Sequence, residues 1–274
     1  MTITANHAHV GPRESTNRYL AERGHPELLI ELMDACEIDR CVAFAPFAEF
    51  LEGTGIDPNT WLAEQVAPHS GRLIPFGTIN PKRADAVTEL ERIRALGFKG
   101  VKMHPAVQEF AVAAPELDEF YAAAQELGLI LDFHTGVHRY PIFDFHPLQF
   151  DGVALRHPRL RMVLEHMGGR SFFHDAVAVI QNDRLNPQGR VLYAGLTSVF
   201  HREAHRVWYM GPERIDELVW QIGEDHIIFG LDFPYNDLAL TQHALTMIRE
   251  LSLPESVKAK ILGNNLNRLL QTTV

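Results

Sequence analysis

The feature that most constrains this chain is an alternation of eight short apolar runs with longer stretches of helical pattern. The runs cover residues 3–10, 40–45, 73–79, 100–104, 130–134, 161–166, 191–196 and 227–232. They are short and often β-branched, as strands buried on both faces should be. Helices are expected between them at 26–35, 59–66, 84–96, 115–127, 147–156, 171–182 and 212–223. A further helix is expected at 238–251, and a terminal one at about 254–270. Several begin near a Pro, and Gly97 and Gly128 stand just past two of the ends. Repeated strand–helix alternation implies a parallel sheet covered by helices. The expected fold is therefore α/β, a closed (β/α)8 or TIM barrel.

Such a barrel takes roughly 250 residues, so a chain of 274 is nearly filled by one domain, 1–274, with the terminal helix packed outside. An open doubly wound sheet is the competing topology, but no GxGxxG follows the first run. Hydrophobic residues make up 46% and charged residues 22%, in the range of globular proteins. No apolar run is long enough to cross a bilayer. The start, MTITANHAHV, has no basic segment leading into an apolar one. Cys36 and Cys41 cannot build a disulfide scaffold, which fits a reducing compartment, and a cytoplasmic location is expected. The net charge of −10 with no basic block argues against a nucleic-acid partner. A small molecule is the expected partner; a homo-oligomer is left open.

Fifteen histidines are present, and their positions carry the chemistry. Run one ends in His7-Ala8-His9, run four in Lys102-Met103-His104, run five in His134, run six in His166 and run eight in Asp232. In a barrel these ends converge on one face, where active sites are built. Side chains alternate along a strand, so His7 and His9 should share a face and Asn6 should point away. A lone HxH is weak. Imidazole and carboxylate groups at five strand ends are another matter, because burying unpaired polar groups costs several kcal/mol. One cation resolves that difficulty, since nitrogen and carboxylate ligands suit Zn²⁺ and related ions.

These segments resemble the amidohydrolase-related group that contains lactonases and the aminocarboxymuconate-semialdehyde and resorcylate decarboxylases. The similarity lies in HAH at 7–9, GFKGVKMHP at 97–105, DFHTG at 132–136, LEHMGG at 164–169, IFGLDFPY at 228–235 and ILGNNLNRLL at 261–270. It implies one divalent ion, Zn²⁺ foremost and Mn²⁺ second, held by His7, His9, His134 and Asp232. It further implies that His166 binds substrate or water, or becomes a fifth ligand, and that Asp232 accepts a proton from water acidified to a pKa of about 7. One departure stands out: the group has an Asp two residues before the first His, where this chain has Ala5.

Lys102 could be carbamylated and bridge two ions, as in binuclear members of the wider superfamily; a charge-balancing or substrate-binding lysine beside one ion is the preferred reading. His104, Gln108, His138 and Lys102 are the expected substrate contacts, and Arg139, Tyr140 and Arg170 could assist a carboxylate. His201 and His205, spaced i, i+4, could share a helix face, but no acidic partner marks them as a second metal site. The expected activity is hydrolysis of a lactone, amide or related bond, partly because the moderate length leaves little room for long insertions. The alternative is non-oxidative decarboxylation of a small aromatic or unsaturated acid. TatD-type nucleases normally have Glu at strand four, where Lys102 and His104 stand here. A purely structural ion would be closed by four protein ligands.

Overall fold

The computed structural model describes residues 2–271. Eight parallel strands close on themselves in sequence order, β8 pairing with β1. They are β1 (Thr4–His9), β2 (Arg40–Phe44), β3 (Leu73–Thr78), β4 (Gly100–Met103), β5 (Ile130–His134), β6 (Met162–Glu165), β7 (Leu192–Leu196) and β8 (Ile227–Phe233). This is the (β/α)8 barrel the alternation predicts, and each strand lies within two residues of its expected bounds at either end.

The outer layer is built from α1 (Arg18–Arg23), α2 (Pro26–Ala35), α3 (Pro58–Val66), α4 (Ala86–Ala95), α5 (Pro105–Gln108) and α6 (Asp118–Glu126). It continues with α7 (Leu148–Arg156), α8 (Gly169–Asn182), α9 (Gly211–Ile222), α10 (Leu238–Glu250), α11 (Glu255–Ala259) and α12 (Asn265–Gln271). Local chemistry explains several starts. Asp57 and Asp237 accept N–H bonds from Thr60 and Leu240 at the heads of α3 and α10, and Pro26 and Pro58 occupy first-turn positions where no N–H is needed. The expected terminal helix is divided: a π-helical turn at Lys260–Asn264 separates α11 from α12.

The barrel interior is layered. Toward the N-terminal ends of the strands, Val42, Ile74, Phe76, Ile130, Val163 and Ile228 pack together, joined by Leu266 and Leu269 of α12, and Phe44 carries this cluster up to the mouth. The larger apolar cluster lies between the strands' outer faces and the helices. Toward the C-terminal ends the inward positions turn polar, with Lys102, Asp132 and Glu165 fully buried. No helix among the described residues is long and apolar enough to cross a membrane.

Candidate metal centre

The site begins with an irregularity in β1. Its register against β2 and β8 shifts between Asn6 and Ala8, and His7 adopts a left-handed conformation, φ +66°. The bulge turns two consecutive side chains inward. Asn6 pairs with inward-facing Gly230, His7 follows it into the lumen, and His9 regains the inward phase beside Phe44. The expectation that Asn6 points away from the site is thus corrected: strict alternation fails where a bulge inserts a residue. His166, Met167, Ser198 and Asp232 also have positive φ. Non-glycine residues hold such conformations only where the surroundings over-determine them, at about 1–3 kcal/mol each.

The bulge brings three ligand atoms around one point. His7 Nε2 and His9 Nε2 are 3.1 Å apart. Asp232 Oδ1 lies 3.4 Å from the first and 3.8 Å from the second. Edges of this length surround a centre about 2.0–2.2 Å from each atom, the bond length of nitrogen and carboxylate ligands on zinc. The donor set therefore fits one divalent cation, and His7, His9 and Asp232 would hold it. Burial would raise the Asp232 carboxyl, but His7, His166 and His9 hold it far below the usual carboxylate range. Burial also holds His9 neutral, well below its ordinary value.

His134 stands just outside this triangle. Its ring stacks on His104 at 4.0 Å and meets His166 at 4.8 Å, and its buried Nε2 has no hydrogen-bond partner. Burial pushes His134 and His104 well below the ordinary imidazole range. His166 donates Nδ1–H to the Thr197 carbonyl at 2.7 Å, which fixes its tautomer and leaves Nε2 as an acceptor. Burial lowers it to about 4. The Trp208 indole lies over His166 at 5.1 Å. Gly136 and Gly169 make room for that indole: a Cβ on either would lie 3.1 or 2.8 Å from it.

Beneath the floor is a charged layer that the strand-end reasoning did not assign to the site. Lys102 Nζ pairs with Asp132 Oδ1 at 2.7 Å. Asn6 Nδ2 donates to Asp132 Oδ2 and to Glu165 Oε1, both at 2.6 Å. Burial raises the Asp132 carboxyl despite Lys102, while His7 keeps Glu165 low against the same effect of burial. For His7, burial and Lys102 disfavour the proton, yet Glu165 and Asp232 outweigh them and raise it to about 9. A carbamate on Lys102 would set a negative charge against Asp132, so the pairing favours an ammonium. The missed residues had a signal: a lone acid inside an apolar strand, in ILDFH and MVLEH, needs a buried partner.

Above the floor is a cavity of about 390 Å³. Its walls come from loops: Phe47 and Phe50 after β2, Val107 after β4, Trp208 after β7 and Tyr235 after β8. His104, His138 and Lys102 line it. Gln108 does not. Its carboxamide accepts from the His104 N–H at 2.8 Å and donates to the Ile79 carbonyl at 2.9 Å, bracing the turn after β4.

Fold and donor set together define a (β/α)8 barrel with a divalent-cation site at its C-terminal mouth. The sequence profile of the amidohydrolase family matches residues 7–271, and the chain belongs to that family. It is 26% identical over 255 residues to the gamma-resorcylate decarboxylase of Rhizobium sp. (strain MTP-10005), covering 78% of this chain and 74% of that one. Among solved structures it resembles the 5-carboxyvanillate decarboxylase of Sphingomonas paucimobilis, with a TM-score of 0.74, 18% identity and 99% of both chains covered. It also resembles a dihydroxybenzoic acid decarboxylase of Polaromonas sp. JS666 with bound manganese and the inhibitor 2-nitroresorcinol. There the TM-score is 0.71 at 18% identity, over 98% of this chain and 97% of that one.

These relatives correct the expected hydrolase activity. The sequence relative, matched over 255 residues, is a decarboxylase. The likeness to a decarboxylase outweighs the argument from length that favoured hydrolysis.

Proposed function

We propose that this protein is a metal-dependent, non-oxidative decarboxylase of a small aromatic carboxylic acid. The observation that carries the reading is the likeness over 255 residues to gamma-resorcylate decarboxylase. The cavity agrees with it: about 390 Å³ suits a single substituted ring, and five of its wall residues are aromatic or aliphatic. We assign His7, His9 and Asp232 as cation ligands, with His134 as a fourth that would need to move toward them. Manganese in the Polaromonas relative puts Mn²⁺ ahead of the Zn²⁺ expected from sequence. When bound, the cation supplies positive charge that binds and orients the carboxylate and a neighbouring oxygen of the substrate.

The protein's residues supply the rest. Phe47, Phe50 and Trp208 exclude water around the ring, and His104 and His138 contact its substituents. Loss of CO2 leaves a carbon that must receive a proton, and His166 is the residue we assign to deliver it. Its depressed pKa means that a free site holds little imidazolium at neutral pH. An anionic substrate placed beside it favours the protonated form, so His166 takes up a proton from solvent as the substrate binds and passes that proton to the carbon that CO2 leaves.

The test is a panel of hydroxybenzoates, including 2,6-dihydroxybenzoate and 5-carboxyvanillate, given to Mn²⁺- and Zn²⁺-loaded protein with CO2 measured directly. His166→Asn should keep its cation and lose about 10²–10⁴ in turnover. Absence of CO2 from every aromatic acid, with acid released from a lactone instead, would overturn the reading.

A further inference from the structure

On the reading that His7, His9 and Asp232 hold the cation, we propose that Glu165 is the positioning residue for His7, fixing its tautomer and raising its strength as a ligand. Glu165 Oε2 and His7 Nδ1 lie 3.4 Å apart inside the barrel. Both atoms are buried and neither hydrogen-bonds any third group among the described residues; the next acid, Asp132 Oδ1, lies farther from Nδ1 at 3.8 Å. They face each other on opposite sides of the lumen, from β6 and β1.

The remaining groups of the layer are already committed. Glu165 Oε1 takes one N–H from Asn6, and Asp132 takes the other. Lys102 Nζ bonds Asp132 Oδ1. The second oxygen of Glu165 faces His7 Nδ1 at 3.4 Å, and a buried carboxylate oxygen with no donor is unfavourable. An imidazole that gives Nδ1–H to a carboxylate must keep its Nε2 lone pair free, and Nε2 is the atom facing His9 and Asp232. Carboxylates in this position orient a histidine ligand and increase its basicity.

The fold reserves space for this carboxylate. Gly195 on β7 pairs with Glu165 in register. A Cβ on Gly195 would collide with both carboxylate oxygens and the carbon between them. Removing a side chain from a barrel strand weakens packing, and here the vacated volume is filled by the Glu165 head group.

The experiment measures Mn²⁺ affinity by competition with a chromogenic chelator, alongside thermal unfolding of the metal-free proteins. Glu165→Gln preserves size but can present an N–H to Nδ1, driving the proton onto Nε2. It should bind Mn²⁺ about 10–100-fold more weakly than the parent. Gly195→Ala, which displaces the carboxylate without altering charge, should weaken binding in the same direction. In the ¹⁵N-histidine-labelled parent loaded with Zn²⁺, His7 should be ligated through Nε2 with its proton on Nδ1. This last readout needs no variant to fold. Binding by Glu165→Gln within twofold of the parent, or His7 ligated through Nδ1, overturns the role of Glu165. A parent that binds no divalent ion overturns the cation site itself, a separate failure.

Discussion

Ser198 Oγ donates a 2.5 Å hydrogen bond to Asp232 Oδ2, leaving Oδ1 as the oxygen that faces His7 and His9. Ser198 is held in turn by Asn236 Nδ2 at 3.1 Å, and Asn236 Oδ1 accepts from His205 Nε2 at 2.8 Å. The chain from His205 to Asp232 fixes the rotation of the carboxylate. Ser198→Ala should leave Oδ2 without its donor, free the carboxylate to turn, and weaken Mn²⁺ binding by roughly 10-fold. A chelator competition showing unchanged affinity would remove Ser198 from the site.

Stoichiometry follows from the triangle of ligand atoms. Metal analysis of the purified protein should find close to one divalent ion per chain. His9→Ala removes one of three converging atoms and should empty the site at micromolar free metal. Two ions per chain, or full occupancy in His9→Ala, would mean that the cation is held elsewhere.

Lys102 and Asp132 form a buried ion pair. Lys102→Met would leave a buried carboxylate without its cation and should destabilise the fold by about 3–5 kcal/mol. Lys102→Met combined with Asp132→Asn should recover part of that loss. Urea unfolding of the two variants is the measurement. A single variant as stable as the parent would show that Asp132 is neutral in the folded protein.

His226 gives a pH prediction away from the cavity. Burial, with Arg190 next, lowers it to about 4 while it donates Nδ1–H to the Leu192 carbonyl. The unfolded chain would bind this proton near pH 6.5. Between those values the unfolded state carries more protons, so stability falls as pH drops from about 6.5 toward 4. Thermal unfolding between pH 7 and 5 should therefore show a smaller decrease in Tm for His226→Asn than for the parent. Equal decreases would assign the acid sensitivity to other groups.

Much of this architecture is legible in the sequence because the barrel strands are buried on both faces, so each is a continuous apolar run between turn residues. The short helices α1 and α5 are not, since six and four residues are too few to show a helical period. His7, His9 and Asp232 are readable because polar groups ending apolar strands need a common partner. Asn6 is not, because its direction depends on a bulge that period-two reasoning excludes. Gln108 sits beside the mouth in sequence but is drawn into bracing the turn, a role set by the position of the Ile79 carbonyl. Asp132 precedes His134 by two residues and shares its inward face, so it could have been placed by the same alternation that placed the histidines.

The glycine at 195 couples change at two positions. While Glu165 is present, every other residue at 195 meets its carboxylate, so mutational tolerance at one position is set by the occupant of the other. A side chain at 195 forces the Glu165 carboxylate to shift from its place beside His7. Deep mutational scanning would see position 195 as closed in the present chain and open once Glu165 is replaced by Gly. Two neighbouring strands are thereby tied into one unit of inheritance.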